Sequence, residues 1–274
     1  MYLSQKFPGF LTGFLFGLGL FGSGVSWISV SMMEYGGASI LLAMVMTGIF
    51  VAGLAIFPGL ASLGYALWSS RWPTATGQVI LLTACWVTME AFRSWFLTGF
   101  PWLLLGYSAI DSPFSGYLSW VGTYGVSCII ALTGGCFVVA IQTKNIFSLI
   151  VAMTFASVGL GLDAIYLPTQ HKDKSVSVAL WQPVIPQQIK WKQEHRSDIV
   201  ARHVTKGLPN QASLIIWPET ALPMTETNMW AALPDLDIIL ANNEQTLITG
   251  VLGESRGRFT NRLVSLGVGS GTYD

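Results

Sequence analysis

Between Phe7 and Leu162 five apolar stretches follow one another, and this succession rules out a single water-soluble core. They run over 7–30, 39–68, 76–95, 117–141 and 146–162, near the roughly 20 residues that a membrane-spanning helix needs. Residues 1–160 hold only seven charged side chains: Lys6, Glu34, Arg71, Glu90, Arg93, Asp111 and Lys144. The last 114 residues carry the other 21 of 28. The pattern predicts a polytopic α-helical membrane domain over 1–162, a polar linker over 163–175, and a water-exposed domain over 176–274. The first stretch is too long for a secretory signal and lacks a small-residue cleavage site.

Within the apolar part, Gly13, Gly17, Gly19, Gly22 and Gly24 offer close approach to a neighbouring helix. Pro58 is the expected kink of the second span. Lys6, Arg71 and Lys144 fall on one side of the five crossings, and Arg93 falls on the other among the short connections. The positive side is the cytoplasmic one, which places the polar domain outside the cytoplasm. Glu90 and Arg93 stand at helical spacing near a membrane boundary. Charges there are costly unless paired, and the spacing allows a pair. One reading is a lipid-headgroup or substrate contact; the other is a structural ion pair beneath the aromatic anchors Trp95 and Trp102.

Net charge is zero, so there is no electrostatic footprint for nucleic acid. Cys85, Cys128 and Cys136 all lie in apolar runs, which argues against a disulfide framework or a thiolate metal site. In the polar part, strands are expected at 176–182, 214–217, 237–241, 247–253 and 259–267, with a helix over 193–208 and a mixed segment at 224–234. Strands alternating with helical segments indicate α/β layering. Gly267-Val-Gly-Ser-Gly271 ends a strand with no helix after it, so it is not a dinucleotide-binding fingerprint. Leu214 to Trp217 is a short buried strand that Pro218 terminates, because proline has no N–H for the ladder. Glu219 then sits past the strand's C-terminal end, where open α/β sheets place their chemistry. It is a candidate general base, or else a solvated turn glutamate.

Three markers, in order, carry a resemblance: Leu97-Thr-Gly-Phe-Pro-Trp102 followed by Gly106-Tyr-Ser, Trp181-Gln-Pro-Val-Ile-Pro-Gln-Gln-Ile-Lys-Trp191, and Leu214-Ile-Ile-Trp-Pro-Glu-Thr-Ala-Leu-Pro223. Together the chain resembles the apolipoprotein N-acyltransferases, of the carbon–nitrogen hydrolase (nitrilase) superfamily, over essentially its whole length. The resemblance implies a multi-pass bacterial inner-membrane enzyme of eight helices with a C-terminal periplasmic domain, an αββα sandwich. It implies transfer of an acyl chain from a phospholipid, phosphatidylethanolamine above all, to the amine of an apolipoprotein's diacylglyceryl-cysteine. The route is a thioester on a cysteine, with no metal or other cofactor. Partners are then the phospholipid donor, the apolipoprotein acceptor and membrane lipids, and not nucleic acid.

Glu219 matches the glutamate of the family's Glu–Lys–Cys triad, the base that makes a thiolate and later takes the amine proton. The triad lysine would stabilise an oxyanion. Trp191 matches a tryptophan beside the family's active site, and Asn261 lies in a segment that resembles one near it. Lys190 and Lys192 do not match the family lysine. That lysine and the cysteine follow a segment like Gly271-Thr-Tyr-Asp274 in the family, and Phe7 to Trp27 resembles a later family helix. The chain is therefore expected to be shortened at both ends, to hold only the N-terminal part of the nitrilase-like domain, and to be inactive alone. Two alternatives stay open: a membrane-anchored amidase of the same fold, and a non-catalytic polytopic pseudoenzyme.

Overall fold

A computed structural model describes residues 9–165, 175–209, 211–255 and 257–273. Lys6, Asp274 and most of the expected linker, 166–174, lie outside the described residues. The chain divides into two compact units, 1–169 and 170–274.

The first unit is helical: α1 (Gly9–Gly24), α2 (Trp27–Glu34), α3 (Ile40–Trp68), α4 (Ala75–Arg93), α5 (Leu118–Thr143) and α6 (Ile146–Ile165). Four of these helices are long and apolar enough to cross a membrane, and the α1–α2 pair makes five if it counts as one bent span. Much of their apolar surface faces outward, as on Leu41, Met44, Ile49, Ile141 and Phe147. That is the arrangement of a bundle whose solvent is hydrocarbon.

The stretch read as one span over 7–30 is two helices meeting at 48°. The break falls at Val25 and Ser26, directly after Gly22-Ser-Gly24, and a methyl group on Gly24 would lie 2.2 Å from Cδ1 of Leu103, so the missing side chain lets Leu103 seat there. Of the five glycines, Gly13 and Gly17 do make the close approach. A Cβ would fall 2.1 Å from the Pro58 carbonyl oxygen at Gly13 and 2.8 Å from Ala55 Cα at Gly17. Gly19 faces open space instead. Pro58 lies inside α3, and the helix continues through it from Ile40 to Trp68. In α5 the backbone departs from helical angles at Gly122.

The second unit contains one mixed five-stranded sheet in the order β1 (Val178–Leu180), β2 (Leu214–Ile216), β3 (Thr246–Ser255), β4 (Arg258–Gly267), β5 (Gly271–Tyr273). β1, β2 and β3 are parallel, and β3, β4 and β5 are antiparallel. Its helices are α7 (Gln187–Lys190), α8 (Arg196–Lys206), α9 (Glu226–Ala232) and α10 (Leu236–Asn242). Alternation puts Ile215, Leu247, Val251, Val264 and Leu266 on one face, where they form a core with Met229 of α9 and Leu236 and Leu240 of α10.

The segment read as a strand at 237–241 is the helix α10. Leu236 and Leu240, four apart, share its buried side, and Asp237 Oδ1 accepts the Gly267 N–H at 2.7 Å. A four-residue apolar run, Ile238 to Ala241, fits either period, and only the core it meets decides between them. The mixed segment at 224–234 contains α9, capped by Thr225, whose hydroxyl oxygen accepts the Asn228 N–H.

Candidate active site

β2 has a parallel neighbour on each side, and its central Ile215 is completely buried. Trp217 extends the ladder by one bond, its N–H to the Ile248 carbonyl at 2.9 Å. Pro218 has no N–H to continue, and the chain lifts off the sheet. It turns through Thr220, at a left-handed φ of 47°, and returns where the Ala221 N–H reaches the Gly250 carbonyl at 3.1 Å. Glu219 stands at the crest of this excursion, exposed. Gly250 lies directly beneath: a Cβ there would be 2.6 Å from Thr220 N and 2.9 Å from Glu219 Cα. The glycine is what lets the backbone of the excursion lie this close to β3.

Behind the strand end, Trp217 is buried and its indole N–H donates to the Gly207 carbonyl at 2.8 Å. His203 packs against it, ring centroids 5.0 Å apart, with Nδ1 2.8 Å from the Ile199 carbonyl. Burial holds His203 below the usual imidazole range, and the positive charges of Lys190 and Arg202 push the same way against the Ile199 bond. The ring is therefore neutral at pH 7, and Nδ1 carries the proton for Ile199.

Glu219 and Asn261, 42 residues apart, meet: Asn261 Nδ2 donates to Glu219 Oε1 at 2.8 Å. β4 places Asn261 opposite Leu252, on the sheet face toward which Glu219 rises. Among the described residues this is the one hydrogen bond to the carboxylate, so its second oxygen is open to accept a proton. Lys190 Nζ comes within 3.4 Å of the Glu219 backbone carbonyl. Trp191, which follows it at the end of α7, is 48% exposed. An exposed carboxylate oriented by one amide on a rigid strand end can act as a general base.

The other two expected site residues, Glu90 and Arg93, belong to the helical unit and are 0% and 2% exposed. They do not form the ion pair their spacing allows; the described ion pairs are elsewhere. The loop after α4 takes both instead. Glu90 Oε1 accepts the Trp86 indole N–H at 3.0 Å and the Leu105 N–H at 2.7 Å. Arg93 Nη1 donates to the carbonyls of Phe100 at 2.6 Å and Trp102 at 2.7 Å, and its guanidinium lies 5.1 Å over the Phe21 ring. The loop's backbone groups, half-buried beside the apolar helices, take these two buried charges as their partners. Trp95 and Trp102 nearby are exposed. Cys85 lies in α4, and Cys128 and Cys136 lie in α5, all three free.

Sequence reasoning missed two members of the Glu219 site. Gly250 was legible as a glycine interrupting a β-rich run, Thr246 to Val251, which signals a close backbone approach. The Lys190 contact has no local signal.

Comparison with known proteins agrees with the markers. Residues 2–136 match the model for the apolipoprotein N-acyltransferase N-terminal domain. The chain is 35% identical over 272 residues to a protein of Pseudomonas syringae, covering 95% of this chain and 54% of that one. It is 33% identical over 267 residues to one of Coxiella burnetii, at 95% and 55% coverage. For one of Vibrio vulnificus the identity is 31% over 259 residues, at 94% and 51% coverage. All three are named apolipoprotein N-acyltransferase, and the chain spans about half the length of each. By its membrane-type helices and by these similarities, the chain belongs to the apolipoprotein N-acyltransferase family.

Proposed function

We propose that this chain supplies the membrane region and the first part of the catalytic domain of a lipid-to-amine acyltransferase. The mixed sheet is then part of a nitrilase-like sandwich on the periplasmic side of the inner membrane. The enzyme moves an acyl chain from a phospholipid to the free amine of an apolipoprotein's diacylglyceryl-cysteine, through a thioester. The observation that carries this reading is the Glu219 carboxylate, exposed at a parallel strand end with one oxygen held by Asn261. Its open oxygen takes the thiol proton as the sulfur attacks the ester carbonyl, and gives it to the glycerol oxygen of the departing lysophospholipid, which leaves the thioester and a carboxylate free again. It later takes a proton from the incoming amine. Trp191, exposed beside Lys190, lines the approach for the acyl chain or headgroup. Glu90 and Arg93 hold the loop after α4 in shape.

Residues 170–274 contain no cysteine, so the 274 residues alone form no acyl-enzyme at this site. The test is an acyl-transfer assay with fluorescent phosphatidylethanolamine and a diacylglyceryl peptide, run on the longest reading frame that contains this chain. Glu219→Gln is expected to lower the rate by about 10²–10⁴, the usual contribution of a general base. Transfer by Glu219→Gln at the wild-type rate, or acyl-enzyme on the 274 residues alone, overturns the reading.

A further inference from the structure

On the core face of the sheet, opposite Glu219, lies a second charged contact. Arg262 Nη1 reaches Glu226 Oε2 at 2.6 Å, with the side chains 18% and 19% exposed. Glu226 Oε1 also accepts the Trp230 indole N–H at 3.3 Å and the Thr272 hydroxyl at 3.5 Å. The guanidinium passes over Gly253, where a Cβ would lie 2.7 Å from its Nε and 2.9 Å from its Cζ. The Arg262 hydrogen bond, with desolvation opposing it, keeps the Glu226 carboxyl below its usual range and ionised.

Asn261 and Arg262 are successive residues of β4, opposite Leu252 and Val251, so they point to opposite faces of the sheet. Asn261 holds Glu219, and Arg262 holds Glu226. Those two glutamates bracket the connection from β2 to α9. Between them the connection is tied to β3 by Ala221 N–H to Gly250 O and by Leu252 N–H to Met224 O.

We propose that Arg262 is a positioning residue for Glu219: with Asn261 it makes a two-sided grip by which one strand fixes both ends of the Glu219-bearing connection. A shift of the connection along β3 must break the Glu226 contact on one face before it can move Glu219 on the other. The proposal rests on Glu219 being the base, and its test reads the Glu219–Asn261 contact rather than catalysis.

The full chain, labelled with ¹⁵N-asparagine in detergent micelles, gives the side-chain amide signal of Asn261, assigned by its loss in Asn261→Gln. In the unsubstituted chain Glu219→Gln shifts this signal. In Arg262→Gln, solvent exchange of the Asn261 amide is expected to rise roughly tenfold, the effect of one contact of ordinary strength. The signal should also lose its response to Glu219→Gln, and Arg262→Lys should restore part of that response. Should Arg262→Gln fail to fold, the pair Glu226→Leu/Arg262→Met keeps the packing and removes the grip, with the same loosening expected. An Asn261 signal that keeps its exchange rate and its response in the folded variant, while the melting temperature falls, shows a pair that only glues α9 down and overturns the proposal. Loss of the acyl-transfer reading would leave these signals untouched.

Discussion

Replacing Gly250 by alanine puts a methyl carbon 2.6 Å from Thr220 N and 2.9 Å from Glu219 Cα. Both neighbours are backbone, so no side-chain rotation relieves the contact, and the excursion that carries Glu219 must lift away from β3. Gly250 itself has no left-handed φ, so alanine meets no conformational penalty there and the effect is steric. Overpacking of this kind costs about 1–3 kcal/mol. The loss of unfolded-chain freedom returns about 0.4–1 kcal/mol. The net of about 1–2 kcal/mol corresponds to a roughly 5–30-fold larger opening equilibrium. The Ala221 amide, bonded to the Gly250 carbonyl, reports that opening. Hydrogen exchange of the peptide spanning 214–224, measured by mass spectrometry on the full chain in detergent, should accelerate by that factor. Gly271→Ala is the control, since its methyl would meet nothing nearer than 3.8 Å in the same sheet. Equal protection in Gly250→Ala and in the control would refute the close-approach argument.

Further outcomes follow from the same contacts. Trp217→Phe removes the indole donor to the buried Gly207 carbonyl and should cost about 1–3 kcal/mol, read as a lower melting temperature; an unchanged melt contradicts the bond. Arg93→Ala leaves the Phe100 and Trp102 carbonyls without their donor, while Glu90 keeps its bonds to Trp86 and Leu105. A loss of about 1–3 kcal/mol for each stranded carbonyl is expected, with faster proteolysis or exchange over 97–105, and an unchanged loop refutes the clamp. His203 gives a pH dependence. Its folded value is depressed by burial, so the unfolded chain takes up the proton first. Stability is complete above about pH 6.5 and is lost as pH falls from there, at up to about 1.4 kcal/mol per pH unit. Melts of the unsubstituted chain between pH 7.5 and 5.5 should fall where those of His203→Gln do not, and identical slopes would assign the titration elsewhere.

Much of this protein is written locally. A chain with seven charges in its first 160 residues must bury its backbone polar groups in helices, because hydrocarbon offers them no partner. The strand 214–216 and its termination at Pro218 are equally local, set by β-branched residues and a missing N–H, and they put Glu219 just past a strand end before any fold is known. The tertiary structure decided what periodicity does not encode. The seat of Leu103 against Gly24, just before the α1–α2 break, joins residues far apart in sequence, and the helical state of 236–242 depends on the core that Leu236 and Leu240 meet. Arg93 bonds loop carbonyls seven and nine residues ahead rather than the glutamate three residues back, and among the described residues those carbonyls have no other hydrogen-bond donor. Above all, the Glu219–Asn261 contact joins residues 42 apart through the β3–β4 register, and pairing across a sheet leaves no mark within either segment.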